Sequence, residues 1–353
     1  MQHVEVPVDP GMLAYGGQAR SPLDRLLMHV LREERDLPIA RLWLLMVATL
    51  LPLAATLYAW GTPPWWLAAA HLGLVLWFFA PYILALHVSS HRQVFKSDYR
   101  WLQQVPVWVL GPFVGQSPET YRVHHMGMHH AEGNLLDDLS TTMPYQRDRW
   151  THFAHYFLKF FFFGTVDLSR YHAERGHRRM LRQMLIGELS YILAVVVLMF
   201  VNPYVTTFVF LLPFLTARFT MMCGNWAQHA FVDQNDPGNP YKNSIVFIDH
   251  PYNRRCFNDG FHIGHHVKPN RHWTEMPEDF QRQLPKYAEA GAIVFRGVDY
   301  FQIWLMLMTK NHRKLAEHLV VWPGNDDSIE ARVALIQSRL QPFPVEARAP
   351  SAA

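Results

Sequence analysis

Histidines in this sequence recur at spacings that suit a metal site. The stretch Asn258–His266 reads NDGFHIGHH and places imidazoles at His262, His265 and His266, which are positions i, i+3 and i+4. On a helix these three positions share one face. Because neutral imidazole binds zinc, copper, iron and nickel, the spacing predicts metal binding. A hydrated histidine patch is the alternative for this stretch taken alone.

Three further stretches repeat the spacing, each with two polar side chains four residues apart. In chain order they are His87–His91, here called the first box, His125–His130, the second box, and Asn225–His229, the amide box. The stretch Asn258–His266 described above is called the third box. His124 lies six residues from His130, off the shared face, and is assigned to an outer or spare role. The candidate ligands are His87, His91, His125, His129, His130, Asn225, His229, His262, His265 and His266.

The number of candidate ligands predicts two metal ions. One zinc ion takes four ligands, so nine imidazoles imply two ions with four or five nitrogens each, and Asn225 is placed to hold a water or complete one shell. Carboxylates are scarce in the boxes, which argues against a soluble bundle centre built from glutamates. Two cysteines, Cys223 and Cys256, are too few for an iron–sulfur cluster or rubredoxin-type iron. Any electrons must therefore come from another protein.

Long uncharged stretches must position these boxes. The 353-residue chain is 50% hydrophobic, and Leu42–Ser90 and Leu189–Ala217 contain no Lys, Arg, Asp or Glu. Since a helix needs ~20 apolar residues to cross ~30 Å of hydrocarbon, each stretch with its flanks has room for two spans, broken at Gly61–Pro64 and at Asn202–Pro203. We predict spans near 41–60, 64–86, 184–201 and 204–223, arranged as two hairpins.

The distribution of positive charge predicts the orientation. All 32 Lys and Arg residues lie outside the two turns, so the positive-inside rule places both termini and the boxes in the cytoplasm. The expected location is the inner or cell membrane. No apolar core with a small-residue cleavage site occurs in the first 40 residues, so no signal peptide is predicted. The predicted fold is an all-α membrane protein, with four transmembrane helices in two hairpins and a cytoplasmic helical cap that carries the site.

Three regions are predicted along the chain. Residues 1–40 form a cytoplasmic arm, residues 41–285 form the membrane catalytic domain, and residues 286–353 form a cytoplasmic C-terminal segment. The last dozen residues are rich in Ala and Pro, and we expect them to be disordered.

The ordered boxes resemble those of the integral-membrane fatty acid desaturase and hydroxylase superfamily. The resemblance rests on His87-x-x-x-His91, His125-x-x-x-His129-His130, Asn225-x-x-x-His229 and Asp259-Gly260-Phe261-His262-x-x-His265-His266, and it extends from the second span to about Pro269. It implies a non-haem di-iron centre held by the ten candidate ligands, dioxygen as co-substrate and electrons from an external donor. It also implies four spans under a cytoplasmic cap and a fatty acyl or alkyl chain as substrate.

Two details of the boxes point to different branches. The three residues between His125 and the pair His129-His130 resemble membrane alkane hydroxylases, because acyl-CoA desaturases usually have two. The acidic residue and glycine before His262, and the proline soon after His266, resemble desaturases. Four predicted spans also favour desaturases over the six-span alkane hydroxylases.

The resemblance predicts an oxidoreductase that removes hydrogen from a fatty acyl chain, with desaturation as the first expectation. The alternatives are oxidative decarboxylation of a free fatty acid to a terminal alkene, as in desaturase-like 1-alkene-forming decarboxylases, and hydroxylation. Four basic residues flank the third-box histidines and could hold a carrier head group or a carboxylate. They are Arg254 and Arg255 before the histidines and Lys268 and Arg271 after them. A membrane metal transporter or sensor is a remote alternative, because the boxes cluster at one predicted membrane face instead of lining a path across it.

The expected partners follow from the same resemblance. They are a fatty acid or acyl thioester, the lipid membrane, and a separate electron donor of ferredoxin, rubredoxin or cytochrome b5 type with its reductase. The donor is expected to be separate because the sequence has no His-Pro-Gly-Gly loop of a fused cytochrome b5-like domain. No nucleic-acid partner is expected.

Overall fold

The structure, a computed structural model, describes residues 21–344. Half of the predicted arm and most of the predicted disordered end lie outside these residues, whereas Phe343, within that end, is buried. The described chain is mostly helical, and its α-helices are α1 Pro22–Val30, α2 Leu37–Trp60, α3 Trp65–His91, α4 Gly111–Phe113, α5 Thr120–His124, α6 His130–Glu132, α7 Trp150–Glu174, α8 Arg178–Val201, α9 Pro203–Thr206, α10 Leu212–Gln228, α11 Pro240–Asn243, α12 Pro251–Arg255, α13 His262–Val267, α14 Met276–Ala290, α15 Tyr300–Met308, α16 His312–Glu317 and α17 Ile329–Arg339.

Shorter helical segments of other types connect several of these helices. Tighter 3₁₀ segments occupy Glu34–Asp36, Ser97–Gln103 and Trp273–Glu275. Wider π-helical segments occupy Val105–Leu110, His125–His129 and Thr207–Leu211. The second of these π segments coincides with most of the second box, and π segments occur frequently at functional sites.

Four helical stretches are long and apolar enough to cross a membrane. They are Glu34–Trp60, Trp65–His91, Arg178–Val201 and Pro203–Gln228. The four predicted spans fall on these four stretches, although Pro64 is the residue before α3 and not part of it. The second stretch continues beyond the predicted end to include both histidines of the first box, and the fourth continues to include Asn225. Length and composition thus indicate an integral membrane protein, whereas the hairpin arrangement and its orientation stay predictions.

The described chain divides into two compact units. The span unit comprises residues 21–127 and 168–219, and the polar unit comprises residues 128–167 and 220–344. In the span unit α2 packs along α3, and α3 also contacts the π segment Thr207–Leu211. The core there includes Leu57, Val195 and Val209.

The two predicted turns of the span unit contact each other. The Asn202 side chain accepts a hydrogen bond from the Val205 backbone N–H, which caps α9. Its amide nitrogen donates to the carbonyl oxygen of Gly61, in the turn between α2 and α3. Gly61 has a φ of 77°, a left-handed conformation that glycine adopts without steric cost.

The polar unit contains a small sheet, which the all-α prediction missed. Strands β1 Ile245–Ile248 and β2 Ile293–Arg296 pair in parallel, with Ile245 opposite Ile293. β-Branched and aromatic residues favour strands, and β1 is buried throughout. Parallel strands need a long crossover connection, and this one carries α12, the third box and α14. The sheet therefore holds both ends of the segment that contains the third box.

Candidate metal centre

Four histidines form a buried cluster in the polar unit. Ligand nitrogens of His129, His229, His262 and His266 all lie within 4.8 Å of one another. The ring centroids of His129 and His229 are 5.2 Å apart, and those of His262 and His266 are 4.6 Å apart. Three segments supply these rings: the π segment of the second box, the residue after α10, and the first and fifth positions of α13.

The nitrogen distances fit a metal ion. Two imidazole nitrogens that each bind one ion at about 2.1 Å, at a right angle to each other, lie about 3.0 Å apart. The Nε2 atoms of His262 and His266 are 3.0 Å apart. The Nε2 atom of His229 is buried without a hydrogen-bond partner, and such an atom is costly unless a ligand satisfies it. A metal ion would bind this nitrogen, and it would also bind the Nε2 lone pairs of His262 and His266, which otherwise face each other.

Backbone and side-chain acceptors orient two of the four rings. The Nδ1 atom of His129 lies 2.7 Å from a carboxylate oxygen of Asp138, and that of His229 lies 2.9 Å from the carbonyl oxygen of Asn243. A ring that donates through Nδ1 keeps the Nε2 lone pair for a metal. The sequence interpretation missed Asp138 and Asn243. Asp138 could have been found from the sequence, because it is an acidic residue in the loop just after the second box. No feature of the sequence indicated Asn243.

Burial keeps two of the four rings neutral. It lowers the pKa of His229 to about 4, with a further contribution from neighbouring His129. Burial likewise holds the pKa of His266 well below its usual range, and the nearest imidazole that adds to this effect is His262. Both rings are therefore uncharged near pH 7, which is the protonation state a metal ligand requires.

The other five predicted histidines form one group in each unit. In the span unit the Nε2 atoms of His91 and His125 are 2.9 Å apart, and the rings of His87 and His125 have centroids 4.5 Å apart. In the polar unit the Nε2 atoms of His130 and His265 are 2.9 Å apart. These distances again match two ligands of one ion.

The structure divides the boxes in a way that the helical spacing did not predict. His125 and His129 were expected to share a face, but His125 contacts the first box and His129 belongs to the four-histidine cluster. The segment between them is π-helical, so its turn is wider than the α-helical turn assumed for the prediction. In the third box, His262 and His266 do share a face, whereas His265 pairs with His130.

Asn225 has a different environment from the histidines. Its amide nitrogen donates to the carbonyl oxygen of Ser140 at 3.0 Å and to the hydroxyl of Tyr156 at 2.7 Å. The side-chain oxygen is the atom left to hold a metal or a water, so the ligand role of Asn225 stays a prediction. His124 is the half-buried last residue of α5.

The acidic residue and glycine of the third box fix the start of α13. The Asp259 carbonyl oxygen accepts a hydrogen bond from the Tyr300 hydroxyl at 2.9 Å. The Gly260 N–H donates to the Asn253 side chain at 2.9 Å, and its carbonyl oxygen accepts from the Phe247 N–H at 2.9 Å. A Cβ at Gly260 would lie 2.3 Å from the Asn253 side-chain oxygen and 2.8 Å from the Phe247 carbonyl oxygen. Glycine is required here because the box passes directly against β1.

Long apolar helices and clustered imidazoles define a class, the membrane oxidoreductases with histidine boxes. A family model of fatty acid desaturases matches residues 63–297. The chain therefore belongs to the fatty acid desaturase family, which confirms the resemblance drawn from the boxes. No curated protein and no solved structure matched the chain.

Proposed function

We propose that the protein is a di-iron, dioxygen-dependent oxidase that removes hydrogen from a fatty acyl chain. The four-histidine cluster carries this proposal, because its nitrogens lie within 4.8 Å of one another and His229 presents a buried, unsatisfied Nε2. One iron would bind these four histidines. The nine imidazoles of the boxes predict a second iron as well, with Asn225 holding a water or completing a shell.

The irons and dioxygen would supply the oxidant for an unactivated methylene group, and electrons would come from a separate donor. The chain itself contributes neutral ligands, since burial keeps His229 and His266 unprotonated. It also excludes water, because three of the four cluster histidines are almost fully buried. The carboxylate of Asp138 and the carbonyl oxygen of Asn243 hold the protons at Nδ1 of His129 and His229.

The basic residues beside the third box favour desaturation over decarboxylation. Decarboxylation needs a cation inside the protein to hold the substrate carboxylate beside the irons. Arg271 is the most buried of the four basic residues, but it forms an ion pair with Asp279 at 2.6 Å and donates to the carbonyl oxygen of Gly264. Arg254, Arg255 and Lys268 are exposed, which suits an acyl-carrier head group that stays outside.

Terminal-alkene formation is the second candidate, and one residue favours it. Lys268 lies two residues after His266, and within residues 21–344 it forms no ion pair. For this reaction its exposed side chain would have to turn inward and hold a free carboxylate beside the third box. Hydroxylation ranks third.

Product analysis distinguishes these reactions. Cells that express the protein are fed perdeuterated laurate and palmitate, and headspace and lipid extracts are analysed by mass spectrometry, with His262→Ala as the matched inactive variant. We expect an internal double bond at unchanged chain length, absent from the variant. A terminal alkene one carbon shorter would show that the reaction is decarboxylation and not desaturation. An alcohol would show that it is hydroxylation.

Metal analysis tests the centre independently of the product. The purified protein should contain about two irons, because nine imidazoles exceed the ligand set of one ion. His129→Ala and His262→Ala should lower the iron content and abolish turnover, whereas His29→Ala, at an exposed histidine on α1, should do neither. A single zinc ion in active protein would contradict the proposal.

A further inference from the structure

A loop just after the second box surrounds one buried carboxylate with donors. Asp138 is 2% exposed. One of its oxygens accepts from Nδ1 of His129 at 2.7 Å and from the Asn134 N–H at 2.9 Å, and the other accepts from the Ser140 N–H at 2.7 Å and hydroxyl at 2.6 Å. An ionised carboxylate only accepts hydrogen bonds, so these four donors suit the anion. Asp138 thus places a buried negative charge directly behind one predicted ligand.

Asn134 links this carboxylate to a second predicted ligand. The residue is fully buried and has a φ of 57°, a left-handed conformation that asparagine tolerates better than most residues. Its side-chain nitrogen donates to the Asn243 side-chain oxygen at 3.1 Å, and its side-chain oxygen accepts from the Thr142 N–H at 3.1 Å. The Asn243 carbonyl oxygen accepts from Nδ1 of His229. One chain of contacts therefore runs from the partner of His129 to the partner of His229.

We propose that Asp138 and Asn134, in the loop that follows the second box, position two histidines of the four-histidine metal site. In this arrangement Asp138 fixes the tautomer and ring direction of His129, and Asn134 holds Asn243 against His229. The inference rests on the proposed metal centre but assigns new residues to it. A carboxylate behind an imidazole also raises the basicity of its metal-binding nitrogen, so Asp138 strengthens the metal bond at one of the two sites.

The purely structural alternative is that Asp138 only ties the loop together. Two measurements separate the alternatives. The first is metal affinity, obtained by anaerobic titration of metal-free, detergent-purified protein with Fe²⁺. Loss of an outer hydrogen-bond partner typically weakens metal binding by about 10- to 100-fold, and we expect a loss of this size in Asp138→Asn. The exposed neighbour Asp137 gives a matched control, since Asp137→Asn removes the same charge one residue away.

The second measurement is the Mössbauer spectrum of the ⁵⁷Fe²⁺-loaded protein. If Asp138 acts through His129, one of the two ferrous signals should shift in Asp138→Asn and the other should not, while Asp137→Asn should match the parent protein. An unchanged spectrum in Asp138→Asn would overturn the inference, even if stability or affinity falls. A parent protein that binds no iron would instead refute the proposed function.

A second variant keeps the inference testable if Asp138→Asn does not fold. Asn134→Asp retains the side-chain oxygen that accepts from Thr142 and a residue type that tolerates positive φ, but it removes the amide donor to Asn243. We expect weaker Fe²⁺ binding and a shift of the same single ferrous signal. Wild-type affinity and spectrum in Asn134→Asp would exclude the link to His229.

Discussion

Burial lowers the pKa of three single histidines in this protein. His172 on α7 is fully buried in the span unit, and burial lowers its pKa, with a further contribution from His177, whose Nδ1 lies 3.2 Å from that of His172. His229 and His266 in the polar unit have lowered pKa values for the same leading reason. All three rings gain protons more readily in the unfolded chain, where the histidine pKa is about 6.5.

The first prediction is therefore a loss of stability in mild acid. Because the unfolded chain binds more protons at these rings below about pH 6.5, their contribution to the free energy of unfolding should be constant above that pH. It should fall as the pH drops toward the lowered folded pKa values. Thermal unfolding of metal-free protein between pH 7.5 and 4.5 measures this. His172→Gln should reduce the slope, and His29→Gln, at an exposed position, should leave it unchanged. Stability that rises on acidification would contradict the argument.

At the scale of elements, the π segment His125–His129 depends on close packing against α7 and α8. A Cβ at Gly127 would lie 2.6 Å from the sulfur of Met180 and 2.9 Å from Cε1 of His172. Gly127→Ala should therefore displace a segment that carries ligands at both ends. We expect a loss of about 1–3 kcal/mol in the free energy of unfolding, as for other overpacked sites, together with a lower iron content.

Gly73→Ala is the matched control for this substitution. Gly73 lies within α3 of the same unit, and an added Cβ there would meet no atom within 4 Å. Alanine in a helix interior is favoured over glycine by about 1 kcal/mol, so this variant should be as stable as the parent or more stable. Equal stability and iron content in Gly127→Ala would show that the segment does not depend on this contact.

The same element shows what the sequence could and could not predict. The four long helices were predictable because the absence of charge over tens of residues does not depend on local contacts. The nine histidines were predictable because their spacing is visible in the sequence. The π-helical turn was not, because the side chains that surround Gly127 come from two later helices. Partners remote in sequence were equally hidden, as with Asn134 and Asn243, whose hydrogen bond joins residues 109 positions apart.

At the scale of the whole molecule, the distribution of charge and the packing of the turns together predict the orientation of the chain in the membrane. The turns at Gly61 and Asn202 contact each other in the span unit, so they belong on one side of the bilayer. Neither turn contains Lys or Arg, whereas the first box and the amide box lie at the opposite ends of α3 and α10. From the positive-inside rule we therefore predict that the turns lie outside and the boxes lie in the cytoplasm.

Single-cysteine labelling tests this last prediction without disturbing the turns. Thr62→Cys and Tyr204→Cys introduce thiols at exposed positions beside the two turns, and Gln93→Cys introduces one just after the first box. The native Cys223 and Cys256 are buried, so their background reaction with a membrane-impermeant maleimide should be low. We expect the first two variants to react in intact cells and Gln93→Cys to react only after permeabilisation. If Tyr204→Cys reacts only after permeabilisation, the two-hairpin arrangement and the shared cytoplasmic location of the boxes are both wrong.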